Sequence, residues 1–265
     1  MKELRRQNAY INNLGLREVD AHIINVRAIE PEAQVDSSYA ARPTRAGQTP
    51  LKRLRRSKKI QIQFMIRELY DLAARAAILD AVNAWAQDGV LMISTRPDQM
   101  AQVICTKYAS AADIRDYNGA YTVEFEACGV PYWQNATPAT LELSGTSGVS
   151  GVIYPGGNVD TVLDAVITAT TGTLTEITIS TVEDYGMSAT STFVLTGLSI
   201  AANATVTISH DARGLLHIES GGVSLMGKRT AASSDELIAH PGGMVVGYTA
   251  NVAVSAVFSA RGWYR

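Results

Sequence analysis

Cysteine is almost missing from this chain: 265 residues hold only Cys105 and Cys128. The two show no CxxC spacing and stand in no Cys/His cluster, which excludes a disulfide framework and a zinc site of recognisable pattern. A reducing cytosol is the simplest place of synthesis. Charge is also scarce, at 18% of residues against about 25% in ordinary soluble domains. Low charge with much Ala, Thr, Ser and Val suits a protein that hides surface in an assembly. No apolar run nears the roughly 20 residues of a membrane span. The opening MKELRRQNAY has no apolar segment of the kind a signal peptide needs.

Residues able to do chemistry are equally thin. The four histidines, His22, His210, His217 and His240, fall in no metal-ligand spacing. His210-Asp211 is the one adjacent His–Asp pair. It borders a turn, and no GxSxG elbow supplies a nucleophile. Glycine clusters such as Gly145-Thr146-Ser147-Gly148 lack the lysine and the preceding strand of a phosphate-binding loop. The carboxylates are scattered, and no pair nominates a glycosidase acid and base. The expectation is therefore no catalytic residue, no cofactor and no metal.

What is present divides in two. Residues 1–135 hold 18 Lys and Arg against 15 Asp and Glu, a balance of +3; residues 136–265 hold 5 against 10, a balance of −5. Composition changes near Pro131–Pro138, after which Thr, Ser, Gly and Val dominate. This predicts two domains, 1–136 and 137–265.

In the first half, Leu14–Val35 reads as extended, and Pro43, Gly47 and Pro50 mark Tyr39–Pro50 as a loop or arm. Ile60, Ile62, Phe64 and Ile66 alternate with Gln61, Gln63 and Met65, which predicts a half-buried strand over 59–67. Leu72, Ala76, Leu79, Val82 and Trp85 recur at spacings of three and four, which predicts a helix over 71–87 with Asp71 as N-cap and Gly89 just past its end. Further strands are expected over 90–95, 102–108 and 121–128, the last after an Asn118-Gly119 hairpin turn. The second half reads as short strands over 140–143, 162–168, 174–181, 191–195, 204–209, 215–219, 222–225, 244–248 and 252–259. Turns such as Asp211–Gly214, Gly221-Gly222 and Gly242-Gly243 punctuate them. The fold class is mainly β: an N-terminal β-sheet domain with one α-helix, then a C-terminal antiparallel β-sandwich of jelly-roll type.

One run invites a ligand. Lys52, Arg53, Arg55, Arg56, Lys58 and Lys59 place six cations in eight positions. Such a run grips phosphates by counterion release, but no aromatic residue stands in it for base stacking. A solvated loop, or contact with an acidic neighbouring subunit, explains it as well; in a ring it could line a lumen through which DNA passes. The pairs Tyr132-Trp133 and Trp263-Tyr264 suggest either a sugar platform or, more simply, packing aromatics.

A resemblance enters on the segment 58–133. Lys59-Ile60-Gln61-Ile62-Gln63-Phe64, the helix carrying Leu79-Asp80 and Trp85, and Tyr121-Thr122-Val123-Glu124-Phe125-Glu126-Ala127-Cys128 followed by Pro131-Tyr132 match, in order and spacing, the N-terminal domain of the siphophage distal tail protein (Dit) family. The finish Arg261-Gly262-Trp263-Tyr264-Arg265 resembles the end of many members. The resemblance implies a galectin-like sandwich in the second half, and a last strand, about 255–265, that returns to the first domain. It implies a virion structural protein, not an enzyme, forming a homohexameric ring that joins tail tube to baseplate. Its partners would be copies of itself, the tail tube protein, the tail-associated hub protein and, in some phages, a receptor-binding protein. DNA would be met only in passage, and no membrane is involved. The galectin sugar-binding sets are absent from this sequence, so no binding residue is carried over. The alternative is a carbohydrate-binding sandwich module that aids host adsorption.

Overall fold

The computed structural model describes residues 7–30, 35–41, 48–55, 58–67, 71–110, 120–183, 189–211 and 215–264. The chain is mainly β and forms two compact units, Met1–Tyr132 and Trp133–Arg265.

The first unit runs β1 (Ala9–Ile11), β2 (Leu14–Gly15), a one-turn helix α1 (Leu16–Val19), β3 (Ile23–Ile29), β4 (Val35–Ala41), β5 (Gln48–Arg55), β6 (Lys59–Ile66), α2 (Leu72–Trp85), β7 (Gly89–Ile93), β8 (Arg96–Lys107) and β9 (Tyr121–Ala127). Its main sheet is antiparallel, in the order β2-β1-β7-β8-β9-β6-β3. The alternation in β6 does what its period predicts: Ile60, Ile62, Phe64 and Ile66 are buried. Tyr121, Val123 and Phe125 of the neighbouring β9 are buried too. Phe64 stacks on Tyr121 with ring centroids 5.5 Å apart.

Helix α2 lies against this sheet. Asp71 caps it, its carboxylate accepting from the Ala73 N–H at 2.8 Å, and seven alanines in the stretch 72–87 favour the helix intrinsically. Ile78, Leu79, Val82 and Trp85 are buried. Trp85 meets Phe125 edge-on at 6.0 Å and donates its indole N–H to the Leu14 carbonyl at 2.8 Å. The expected apolar face is off by one turn at its start: Leu72 is 63% exposed, and Arg75 is buried in its place. The extended stretch expected over 14–35 is broken by α1, and the arm expected at 39–50 begins and ends in strands, β4 and β5. The Asn118-Gly119 turn lies outside the described residues.

The second unit runs β10 (Trp133–Asn135), β11 (Ala139–Ile153), β12 (Thr161–Ala169), β13 (Leu174–Glu183), β14 (Ala189–Ile200), β15 (Thr205–His210), β16 (Leu216–Ser220), β17 (Val223–Ser224), a short 3-10 turn (Met226–Lys228), β18 (Ile238–Ala239), β19 (Met244–Ala260) and β20 (Trp263–Tyr264). The strands read as 244–248 and 252–259 are one strand, β19. It pairs with β13 through residues 244–250 and with β12 through residues 254–260, while β11 follows its whole length on the other side. The two long strands therefore pass through both layers of the sandwich. β11 bends at irregularities around Ser147, where Gly145 and Gly148 adopt φ of +145° and +68°, conformations that L side chains resist. After the bend its two arms face one another: a Cβ on Gly151 would stand 2.9 Å from Leu141 Cδ1. The core between the layers holds Leu163, Ile167, Ile177, Ile179, Phe193, Leu195, Ile208, Val246 and Phe258.

Two polar side chains fix the corner. Asn251 accepts from the Thr175 and Glu176 N–H groups at 2.9 and 3.3 Å and donates to the Thr173 carbonyl at 3.0 Å. The Tyr248 hydroxyl lies 3.2 Å from the carbonyls of both Gly145 and Val254, one on each long strand. Burial pushes its titration above the ordinary 10.0. Tyr248→Phe should lower the unfolding free energy by about 1–2 kcal/mol, read by urea denaturation. A phenol whose titration is raised by folding contributes fully below the unfolded value and loses that contribution as pH climbs past it. Wild type should therefore lose stability above pH 10.0 faster than the Phe variant does.

Candidate assembly interface

The six cations of the basic run do not share one environment. Lys52, Arg53 and Arg55 lie on β5, and Arg56 falls outside the described residues. Among the described residues β5 pairs with β4 and with no other strand, from Val35 opposite Arg55 to Ala41 opposite Gln48. The first three cations of the run thus lie on the return strand of a two-stranded ribbon. Lys59 opens β6 opposite Glu126.

Lys58 stands elsewhere in the chemistry. Its ammonium lies 2.6 Å from Glu30 Oε2. The same carboxylate receives the Arg96 guanidinium as a fork, Nε at 2.8 Å and Nη2 at 3.3 Å. Arg96 also donates to Gln99 at 2.9 Å. A cavity of about 460 Å³ opens here, lined by Glu30, Thr95, Arg96, Pro97, Asp98 and Gln99. Its walls are mostly polar, unlike the apolar pockets that hold small ligands.

Sheet edges are the other surface through which copies could meet. In the main sheet of the first unit, β2 and β3 are the outer strands. In the second unit the outer side of β14 is closed by the chain itself. Ser234 exchanges two hydrogen bonds with the Thr192 backbone, at 2.9 and 2.7 Å. Ser233 does the same with the Val194 N–H and carbonyl, at 2.9 and 3.1 Å. The Thr230 N–H adds a 3.0 Å bond to the Val194 carbonyl.

The residues weighed for chemistry find structural partners. The sequence-adjacent pair His210-Asp211 does not pair: His210 Nδ1 lies 2.8 Å from Asp164, while Asp211 accepts from the Leu215 N–H at 2.9 Å and lies 3.5 Å from His217. His240 sits between Asp160 at 2.6 Å and Glu183 at 2.9 Å. His22 lies 2.9 Å from Asp20, whose carboxyl is held below its ordinary range first by the His22 backbone N–H. No group of three metal-ligating residues occurs among the described residues. Both cysteines are free, and burial pushes the Cys105 thiol up, toward its unreactive protonated form. Trp133 is fully buried, and Trp263 and Tyr264 are half-buried. β20 pairs with β10, Trp133 opposite Tyr264, and Gly157 packs on the Trp263 backbone so closely that a Cβ would come within 2.4 Å of its carbonyl oxygen. No helix is long and apolar enough to cross a membrane among the described residues.

The clamp of Glu30, Lys58 and Arg96 was not visible in the sequence. Its only signal there was a carboxylate before, and a cation after, a long polar excursion.

Neither a protein-family model nor a curated protein sequence matches the chain. Solved structures do match. The chain superposes on the Dit protein (gp 19.1) of phage SPP1, described as a paradigm of the hub adsorption apparatus in phages infecting Gram-positive bacteria, with a TM-score of 0.69 over 96% of this chain and 98% of that one, at 10% identity. It superposes on a chain of the phage p2 baseplate, in its activated conformation with Sr, with a TM-score of 0.52 over 97% of each chain, at 9% identity. At such identities the likeness establishes a shared fold.

Proposed function

We propose that this chain, which has the fold of the SPP1 Dit protein, is a structural and non-catalytic component of a bacteriophage tail, assembling as a ring between tail tube and baseplate. The observation that carries the reading is full-length coverage at a TM-score of 0.69: both units and their order agree, which one shared β-sandwich alone would not produce. The side-chain chemistry fits a protein that works by complementary surfaces, since every histidine is engaged by a carboxylate within the chain.

The ribbon β4–β5 is the element we assign to assembly. Residues 31–57 hold six Lys and Arg against two Asp and Glu, a balance of +4, whereas the whole chain has a net charge of −2. The rest of the chain therefore carries −6, and an acidic neighbouring copy is a matching partner for Lys52, Arg53, Arg55 and Arg56. A head-to-tail interface of this kind closes into a ring when its rotation divides the circle. Six copies is the number expected. DNA passing through such a ring would meet these cations weakly and without sequence preference. The tail tube protein, the hub protein and a receptor-binding protein are the proposed neighbours, and the virion tail the proposed location. The alternative, a sugar-binding role for 137–265, would rest on Trp263, which is half-buried and whose backbone is engaged with Gly157 and Asn158.

Light scattering on the purified chain at high concentration, with negative-stain microscopy of the same sample, should show a closed ring. A monomer at every concentration and salt, with no ring on the grid, overturns the proposal.

A further inference from the structure

We infer that Glu30 is the positioning residue of the β4–β5 arm, through a three-residue ionic clamp that fixes the arm's root to the first sheet. The inference rests on the reading of the arm as an assembly element.

β3 and β6 are hairpin partners, with Ile29 opposite Gln61. Between them the chain makes an excursion of 27 residues, 31–57, that contains its own two-stranded sheet. Glu30 is the last residue before the excursion and Lys58 the first after it, so their 2.6 Å contact closes its mouth. A hairpin with so long a loop loses little more to closure than a shorter one, because that entropy grows slowly with length, but the loop itself gives no reason for its ends to stay together in one arrangement. The clamp supplies that reason by adding a third point, Arg96, from a different hairpin.

Each member is held by backbone that cannot easily follow the arm. Arg96 pairs with Ile93 across a two-residue turn. Ser94 in that turn exchanges bonds with Asn8 beside β1, at 2.9 and 3.1 Å. The Lys58 carbonyl accepts from the Ala127 N–H at the end of β9, at 2.8 Å. Glu30 follows directly on β3. The side chains of Lys58, Glu30 and Arg96 are 12%, 21% and 30% exposed. At that burial the pairs are screened less than surface ions, and the Arg fork sets direction as well as distance.

The geometry is specific to a carboxylate at position 30. Its two oxygens are shared, Oε1 with Arg96 Nε and Oε2 with both Lys58 and Arg96 Nη2. An amide would present a donor to one of the cations and remove the negative charge that Lys58 and Arg96 share at this point. A lysine at position 96 would keep the charge but lose the fork.

Hydrogen exchange by mass spectrometry on the full chain tests this. In Glu30→Gln, amides of 35–41 and 48–55 should exchange at least about tenfold faster, while those of β6 and β9 stay at wild-type rates. Arg96→Lys should fall between, and Glu30→Asp should restore part of the protection. Unchanged exchange in the ribbon of Glu30→Gln overturns the clamp. The same samples go to light scattering. A loosened ribbon with loss of the multimer supports both the clamp and the arm's role. A loosened ribbon with the multimer intact keeps the clamp and overturns the arm as the assembly element.

Discussion

Phe258→Ala should cost the second unit about 3–5 kcal/mol, enough to leave that unit largely unfolded near physiological temperature. Phe258 is fully buried and sits in β19 between Leu141 of β11 and Ala165 of β12. Its small neighbour matters: Ala165 cannot expand into the space a lost ring leaves, and Leu141 is tied to its own strand. The cavity stays open, and cavity volume adds to the lost transfer energy. The effect should be confined. Differential scanning calorimetry should show one transition shifted down and the transition of the first unit close to wild type. Val257→Ala, one residue away and on the outer face of the same strand, should cost under about 1 kcal/mol. Similar losses for both variants would mean that β19 does not alternate between core and surface as described.

Replacing residues 33–56 with a six-residue Gly/Ser linker should convert the proposed ring to monomers without unfolding the chain. Among the described residues β4 and β5 pair only with each other, so their removal strips no described strand from the main sheet. The linker also shortens the loop between β3 and β6, which lowers closure entropy modestly. Thermal midpoint should therefore move by a few degrees at most, while light scattering falls from multimer to monomer. Reversing charge at Lys52, Arg53, Arg55 and Arg56 to Glu should give the same loss with the arm still present. The proposed multimer should weaken as salt rises, because attraction between charges on different copies is largely screened beyond about 10 Å at 0.1 M. A multimer that survives both variants would place the interface on sheet edges instead.

Local structure was legible where one rule governed several neighbouring residues. Alternation marked β6 and β9, and threefold and fourfold spacing with an Asp cap marked α2. The errors were also local in cause. Leu72 looked like the first core position of the helix, yet it is exposed, and Arg75, one turn later, is buried whole. A charged residue goes inside only where partners meet its head group, and hydrophobicity alone does not announce it. β19 read as two strands because Asn251 interrupts the apolar pattern. In the fold that asparagine turns back to hold the start of β13, so the interruption is a corner within one strand. The strand expected over 140–143 is likewise only the start of β11, which continues through its bend at Gly145 and Gly148.

Periodicity, composition and capping by themselves determined that the chain is β-rich with one long helix, that its character changes near residue 135, and that it lacks a recognisable catalytic or metal constellation. These properties depend on residues a few positions apart, which the chain displays in order. Tertiary structure alone decided which strands pair, that β11 and β19 cross both layers, that Ser233 and Ser234 close the edge of β14, and that Glu30, Lys58 and Arg96 converge. Glu30 and Arg96 are 66 residues apart, and no local rule links them. They meet because burying two apolar faces against each other brings distant hairpins together, and ionic partners are chosen only after that packing has set the distances.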